Sequence, residues 1–316
     1  MFKKVLVPTD FSAIAHKTQE CLSEIPGVEE MVLLNVVDAS NPMNLEKKGW
    51  SYSSLLEEAE VRLDEQADRL VHLSEGKESR PSVSKLLKVI AAPMSGADGV
   101  NLQWPKHIDP GMMIEGGSVG EAIIKTAREE KPSLICMGAQ GKGLVEAALL
   151  GSVSTEVLRK GETDLLIIRH NLLGREQGAA PQDVCRSIFS RVMLTTDFST
   201  AAGAALARAE ELSGTKELML VHVTAKDEEF GKGAAKLNLL RDKLSAPGRN
   251  VTVHVLQGQP AGEVLNLAEK EKPSLILMGS QGKSWSRQIR VGSTTFEAAR
   301  RANCPVMVVR PRIGGE

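Results

Sequence analysis

The chain has 316 residues, with 39 Lys and Arg against 40 Asp and Glu, a formal net charge of -1, and 42% hydrophobic and 25% charged residues. This is the balance of a globular protein about two domains long, and it leaves no overall positive charge to hold nucleic acid or an anionic membrane. Four cysteines, at 21, 136, 185 and 304, form no C-x-x-C pair, so the expectation is reduced thiols in a cytoplasmic protein, with neither a zinc site nor a disulfide framework.

In chain order, the opening MFKKVLVPTD has too short an apolar run for a signal peptide, and no stretch reaches the ~18 apolar residues of a membrane span. KKVLVP (3–8) and MVLLNVV (31–37) are short, nearly continuous apolar runs that predict strands, and SSLLEEAEVRLDEQADRLVHL (53–73) predicts an amphipathic helix. The third strand has two candidates, SKLLKVI (84–90) and GMMIEGGSVGEAI (111–123), and SLICM (133–137) and DLLII (164–168) follow as strands. Residues 171–186 are polar, hold Gly and Pro and lack apolar periodicity, as a linker does. Beyond them come RVMLTT (191–196), the Ala-rich helix former STAAGAALARAEEL (199–212), ELMLVHV (217–223), a helix near 232–245 and VTVHVL (251–256). A helix at 261–270, SLILM (274–278), a helix near 293–302 and PVMVV (305–309) complete the chain. Strands apolar on both faces, separated by helices, predict an α/β protein whose parallel sheet is covered on both sides.

The second series repeats the first. VLVPTDFS (5–12) returns as VMLTTDFS (192–199), and EKPSLICMGAQGK (130–142) as EKPSLILMGSQGK (271–283). Asp10 to Val36 spans the same distance as Asp197 to Val223, whereas Val36 to Gly138 is 102 residues and Val223 to Gly279 only 56, so the first copy carries an insertion of about 46 residues within 38–112. The domains are therefore expected at 1–170 and 187–312, joined by 171–186.

Each copy also has a glycine pattern directly after its fourth main strand. Gly138-x2-Gly141-x9-Gly151-Ser152 matches Gly279-x2-Gly282-x9-Gly292-Ser293, although the intervening nine residues differ, KGLVEAALL against KSWSRQIRV. Glycines admit positive φ and let an anion approach the backbone, and a Gly-Ser pair opening a helix offers unpaired N–H groups at the positive end of the helix dipole. The alternative reading is a pair of tight turns. At the carboxyl end of the first strand stand Asp10 and Asp197, where open parallel sheets bind ligands. An Asp there accepts bonds from ribose hydroxyls or an adenine amine, or caps the following helix.

PTDFS, LNVVD and G-x2-G-x9-G-S together resemble the universal stress protein family in its ATP-binding branch, here as a tandem covering nearly the whole chain. The resemblance implies two open-sheet domains, each a five-stranded parallel sheet in order 3-2-1-4-5 with helices on both faces. It also implies pairing of the domains through their last strands and an adenine nucleotide, ATP or AMP with or without Mg, at each switch point. Carried over by position, Pro8, Thr9, Asp10 and Val36 take adenine and ribose, Met137 and Gly138 border the ribose, and Gly141, Gly151, Ser152 and Val153 hold phosphates. The matching residues of the second copy are Thr195, Thr196, Asp197, Val223, Met278, Gly279, Gly282, Gly292, Ser293 and Thr294. Thr195 departs from the proline of the family and of the first copy.

Competing motifs fail. GKS at 282–284 ends like a Walker A loop, but Leu277 stands where its first glycine belongs. MSGADG (94–99) lacks the second glycine and serine of a pyrophosphatase loop. His222 and His254 alternate with apolar residues and read as hydrogen-bonded structural histidines. Arg287 and Arg290, with Lys283 and Trp285, are candidates to meet a phosphate or a partner, or to be plain surface charges. The expectation is a stress-response protein acting through nucleotide-dependent conformation and protein partners, possessing at most weak ATPase activity, since no general base or arginine finger is assignable. A homodimer is the expected assembly. The alternatives are a slow ATP hydrolase that draws Glu115, Asp109 or His107 from the insertion, and a scaffold that keeps the loops for packing.

Overall fold

The computed structural model describes residues 2–23, 25, 27–40, 52–75, 80–91, 110–140, 150–169, 187–282 and 290–311. Strand and helix alternate as β1 (Lys4–Thr9), α1 (Ala13–Leu22), β2 (Glu30–Ala39), α2 (Tyr52–Leu73), β3 (Ser82–Ala91), β4 (Met113–Glu115), α3 (Val119–Glu130), β5 (Leu134–Gly138), α4 (Ser152–Lys160) and β6 (Leu165–Ile168). The second half follows with β7 (Arg191–Thr195), α5 (Thr200–Glu211), β8 (Glu217–Thr224), α6 (Phe230–Leu244), β9 (Asn250–Gln257), α7 (Pro260–Glu271), β10 (Leu275–Gly279), α8 (Ser293–Arg301) and β11 (Val306–Val309). Among the described residues no helix is long and apolar enough to cross a membrane.

The strands form one sheet in the order β4-β3-β2-β1-β5-β6-β11-β10-β7-β8-β9. Read from β9 towards β11, the second half has the expected 3-2-1-4-5 order. The first half keeps that order but has six strands where five were expected, because both candidates for its third strand are strands. β3 pairs with β2, and β4 lies parallel to the end of β3, with Val89 opposite Met113 and Ala91 opposite Glu115. The chain that returns from the insertion thus pairs with part of an edge that would otherwise stay open. Between β3 and α3 lie 27 residues (92–118), against only Gly258 and Gln259 between β9 and α7, so most of the insertion leaves from the carboxyl end of β3.

The repeated E-K-P-S-L stretch is a helix stop followed by a strand start. Lys131 and Lys272, both at φ 48, end α3 and α7 in the left-handed conformation, and their N–H groups donate to Ala127 O and Ala268 O. Pro132 and Pro273 then bar further helix. Because the strands are apolar on both faces, two core layers form. Leu166 and Ile168 of β6, with Met307 and Val309 of β11, join the layer under α1, α2, α5 and α6. Leu165, Ile167, Val306 and Val308 face the layer under α3, α4, α7 and α8. Each layer runs without a break through both halves.

The halves meet where β6 pairs antiparallel with β11, Ile167 opposite Val306 and Leu165 opposite Val308. Phe2 stacks on Phe189 across the junction, ring centroids 6.5 Å apart. Two buried arginines reach in opposite directions: Arg169 donates to Ala299 O on α8, and Arg310 to Leu158 O on α4. Burial lowers both guanidinium pKa values to about 10. Asp164, also buried, accepts from Arg208 Nη2 at 2.7 Å and from the Arg310 N–H at 2.8 Å.

The expectation of four reduced thiols is corrected. Cys21 is disulfide-bonded, while Cys136 and Cys304 are free and buried, their thiols pushed up to about 12 by desolvation. Sequence spacing bears only on pairs close in the chain, whereas a disulfide needs proximity in the fold.

Asp164→Ala leaves a buried guanidinium and a backbone N–H without their acceptor, and should lower stability by about 3 kcal/mol, read from urea unfolding. Asp164→Asn, which still accepts from the Arg310 N–H, should lose less.

Candidate functional site

The strand order creates a reversal in each half. β1 leads through α1 on one face of the sheet to β2, whereas β5 leads through α4 on the other face to β6, so a crevice opens at the carboxyl ends of β1 and β5. β7 and β10 repeat this. The residues proposed from the sequence gather there: Pro8 and Thr9 end β1, Val36 lies in β2 one position past the partner of Thr9, Met137 and Gly138 end β5, and Ser152 and Val153 begin α4 behind Gly151. Thr195, Thr196, Asp197, Val223, Met278, Gly279, Gly292, Ser293 and Thr294 hold the corresponding positions in the second half. Gly141, Lys283, Trp285 and Arg287 lie outside the described residues.

The strand-one turn has the same construction in both copies. Phe11 and Phe198 take positive φ, 60° and 61°, a conformation costly for a bulky side chain. Their N–H groups donate to Thr9 Oγ1 (3.1 Å) and Thr196 Oγ1 (3.0 Å), and Asp10 Oδ1 and Asp197 Oδ1 each accept from the serine two residues on at 3.0 Å. Those serines, Ser12 and Ser199, cap α1 and α5 through their side chains. The aspartates therefore do not cap the helices, as one reading of the sequence had it; they hold the turn that leads into the caps.

One residue of this construction was missed in the sequence. Asn35 Nδ2 donates to Thr9 O at 2.8 Å, and at the equivalent place His222 Nδ1 bonds Thr196 O at 2.8 Å. Both side chains are buried. The signal was present, a polar residue inside an apolar strand at the same 26-residue distance from the threonine in each copy.

The glycines have two different uses. A Cβ on Gly279 would lie 2.6 Å from Ala201 O and 2.7 Å from Ala201 C, and one on Gly138 would lie 2.6 Å from Ile14 Cγ2. These glycines let the first turns of α5 and α1 sit close over the strand ends, which is the packing role. A Cβ on Gly282 would lie 2.6 Å from Asp197 Oδ2, so the start of the glycine loop and the strand-one carboxylate are in contact. Gly151 and Gly292 close their loops at the base, donating at 2.8 Å to Ala139 O and Ser280 O. Their own N–H groups are thereby engaged, and what they contribute is the lack of a side chain over the helix start. Among the described residues neither α4 nor α8 has a side-chain cap, in contrast to the Ser-capped α1, α3 and α5. The first-turn amides at Ser152, Val153, Ser293 and Thr294 have no intrahelical acceptor, and an anion suits them.

Two of the charged candidates can be placed. Arg290 turns away from its own loop to Glu162 of the other half and donates to Lys160 O at 3.2 Å. Glu115 ends β4 at the edge of the sheet, separated from β1 by β3 and β2, about 14 Å at normal strand spacing, too far to act at the crevice. Asp109 and His107 lie outside the described residues. A cleft of about 990 Å³ opens between the halves, bounded by Pro132, Asp164, Phe198, Arg208, Gly282 and Arg310 among others. Gly282 and Arg290 border it, together with Phe198 and Ser199 of the strand-one turn and Ser280 and Gln281 of the glycine loop, so it adjoins the second crevice.

Fold and site together define a tandem open-sheet α/β protein with one crevice per half. The model of the universal stress protein family matches residues 1–169 and 189–310, and the chain belongs to that family. It is similar to a universal stress protein of Methanocaldococcus jannaschii, 34% identical over 79 residues, 25% of this chain and 46% of that protein. A universal stress protein of Mycolicibacterium smegmatis is 24% identical over 249 residues, 74% of this chain and 77% of that one. The crystal structure of a universal stress protein from Archaeoglobus fulgidus superposes with a TM-score of 0.69 at 26% identity, covering 98% of this chain and 99% of the other.

Gly279→Ala should cost about 1–3 kcal/mol in unfolding free energy, because the clash is with backbone. Gly138→Ala should cost less, since its closest neighbour is the Ile14 side chain rather than backbone. Equal losses in thermal or urea unfolding would contradict this packing role.

Proposed function

We propose that the protein binds an adenine nucleotide, ATP or AMP, in each half, and that occupancy sets a conformation read by protein partners in the cytoplasm. In this reading residues 1–170 and 187–312 are two nucleotide-binding domains joined by 171–186. One observation carries it: in both copies the turn-held aspartate stands at the strand reversal, beside an uncapped helix that begins behind a glycine. Membership in the universal stress protein family supports it further.

The roles follow from the chemistry of the groups. Asp10 and Asp197 accept from ribose hydroxyls or the adenine amine, and Val36 and Val223 offer backbone groups along the strand-two end. Met137 and Met278 supply apolar surface against the ribose. The helix-start amides at Ser152 and Val153, and at Ser293 and Thr294, hold phosphate oxygens through hydrogen bonds and the positive end of the helix dipole, which needs no excess of lysine and arginine. Mg, when bound with ATP, would neutralise phosphate charge. The displacement of Glu115 to the sheet edge counts against the hydrolase alternative.

Small molecules released from the denatured protein should include an adenine nucleotide by mass spectrometry, and calorimetry should find two sites. Gly151→Val and Gly292→Val should each remove one. At Gly292 an added Cβ finds only ordinary contacts at 3.8 Å or more, so lost binding with unchanged unfolding would report the blocked amides. Undiminished binding in both variants would refute the assignment.

A further inference from the structure

We infer that Glu162 and Arg290 clamp the start of α8 from the opposite half, so that the first half of the chain sets nucleotide affinity in the second. This rests on the nucleotide-binding reading above. Arg290 stands two residues before Gly292, the N-cap of α8. Its side chain is paired with Glu162, in the connection between α4 and β6, and donates to Lys160 O at 3.2 Å. Its own carbonyl accepts from Arg310 Nη1 at 2.9 Å, and Arg310 in turn reaches Leu158 O on α4. Residue 290 is thus held through both its side chain and its main chain, in each case by contacts that lead into the first half.

Glu162 is itself fixed. Arg128 donates to both its oxygens, at 3.3 and 3.2 Å, and its carboxyl is held below the usual range by Arg290 first and Arg128 second. The helix start that follows Arg290 carries the Ser293 and Thr294 amides, and the Gly292 N–H closes the loop on Ser280 O at 2.8 Å. Fixing residue 290 therefore fixes the direction of the amides that meet phosphate, before any ligand arrives.

The charged pair runs in one direction only. The offset that relates Gly138 to Gly279 and Gly151 to Gly292 puts Leu149 in the place of Arg290 and Asn303 in the place of Glu162. That pair has no charge to exchange, so the charged half of the clamp has no counterpart before α4. Because Arg290 and Glu162 are about half exposed, solvent screens their attraction, and their loss should barely move global stability. Its effect should appear as orientation of the helix start.

The test uses the full chain with Gly151→Val, in which only the second site reads. Glu162→Ala and Arg290→Ala should each weaken ATP binding by about fivefold, and the double variant by no more than either single one, because both remove the same contact. With Gly292→Val in place of Gly151→Val, Glu162→Ala should leave binding at the first site unchanged. In the ligand-free chain, hydrogen exchange at the Gly292 N–H should accelerate in Glu162→Ala, while the Gly151 N–H, bonded to Ala139 O, should not change. Additive losses would make Arg290 a direct phosphate contact and overturn the clamp, as would unchanged exchange at Gly292. Absence of nucleotide binding in the unsubstituted chain would instead overturn the functional reading, with the exchange result still deciding whether the clamp orders the helix start.

Discussion

The antiparallel junction of β6 with β11 is the constraint on which the rest of the molecule depends. Each half-sheet is parallel and would present an apolar last strand at its edge; joining the two edges hides both and continues the two core layers across the junction. Since the pairing is antiparallel, the carboxyl ends of the two half-sheets point in opposite directions. Each crevice accordingly adjoins the other half at the amino ends of its strands. For the second crevice that neighbour is the 161–164 connection, which is why Glu162 and Asp164 of the first half stand beside residues of the second.

The junction also shows how buried cations can be accommodated. Arg169 and Arg310 each follow the last strand of their own half and donate to a carbonyl in the last turn of the other half's final helix. A helix carboxyl end carries partial negative charge and unpaired carbonyls, so a guanidinium there meets both a field and an acceptor. Desolvation still weighs against the charged form, as the lowered guanidinium pKa values record, and the Nε of each has no partner among the described residues. The exchange is symmetric, but its reinforcement is not: Asp164 and Arg208 correspond by position to Pro305 and Cys21. Duplication kept the geometry of the junction while the two sides acquired different chemistry around it.

Much of this was legible in the chain. Continuous apolar runs separated by helix formers gave the parallel sheet, and equal spacing from Asp to Val and from Gly to Gly in two copies identified the repeat and both crevices. The edge strand β4 was not separable from β3, because Met113–Glu115 is too short to carry a period and gains its strand character from pairing with Val89–Ala91. The direction of Arg290 was not legible either. In sequence it belongs to its glycine loop; only the junction brings Glu162 within reach. The same holds for Gly138 and Gly279, whose packing against α1 and α5 depends on helices that begin more than a hundred and about eighty residues earlier in the chain.

The repeated left-handed phenylalanine explains how one short motif serves two purposes. If the chain entered α1 or α5 directly from the strand, the residue at the strand end would itself be the natural helix cap, and an aspartate there would be consumed by the helix. Turning the backbone at Phe11 and Phe198 separates the tasks: serine caps the helix, threonine and Asp Oδ1 hold the turn, and the carboxylate stays at the strand end. Such a conformation costs ~1–3 kcal/mol. Local support offsets part of it, since the Phe198 ring lies 4.6 Å from the His222 ring and 5.0 Å beneath Lys236 Nζ, and Arg62 covers Phe11 at 5.6 Å. Strain retained at the same position in both halves, with different aromatic and cationic neighbours, belongs to the turn itself rather than to either set of neighbours. In the second half, where Gly282 abuts Asp197 Oδ2, that turn joins the strand-one acid to the glycine loop in a single site.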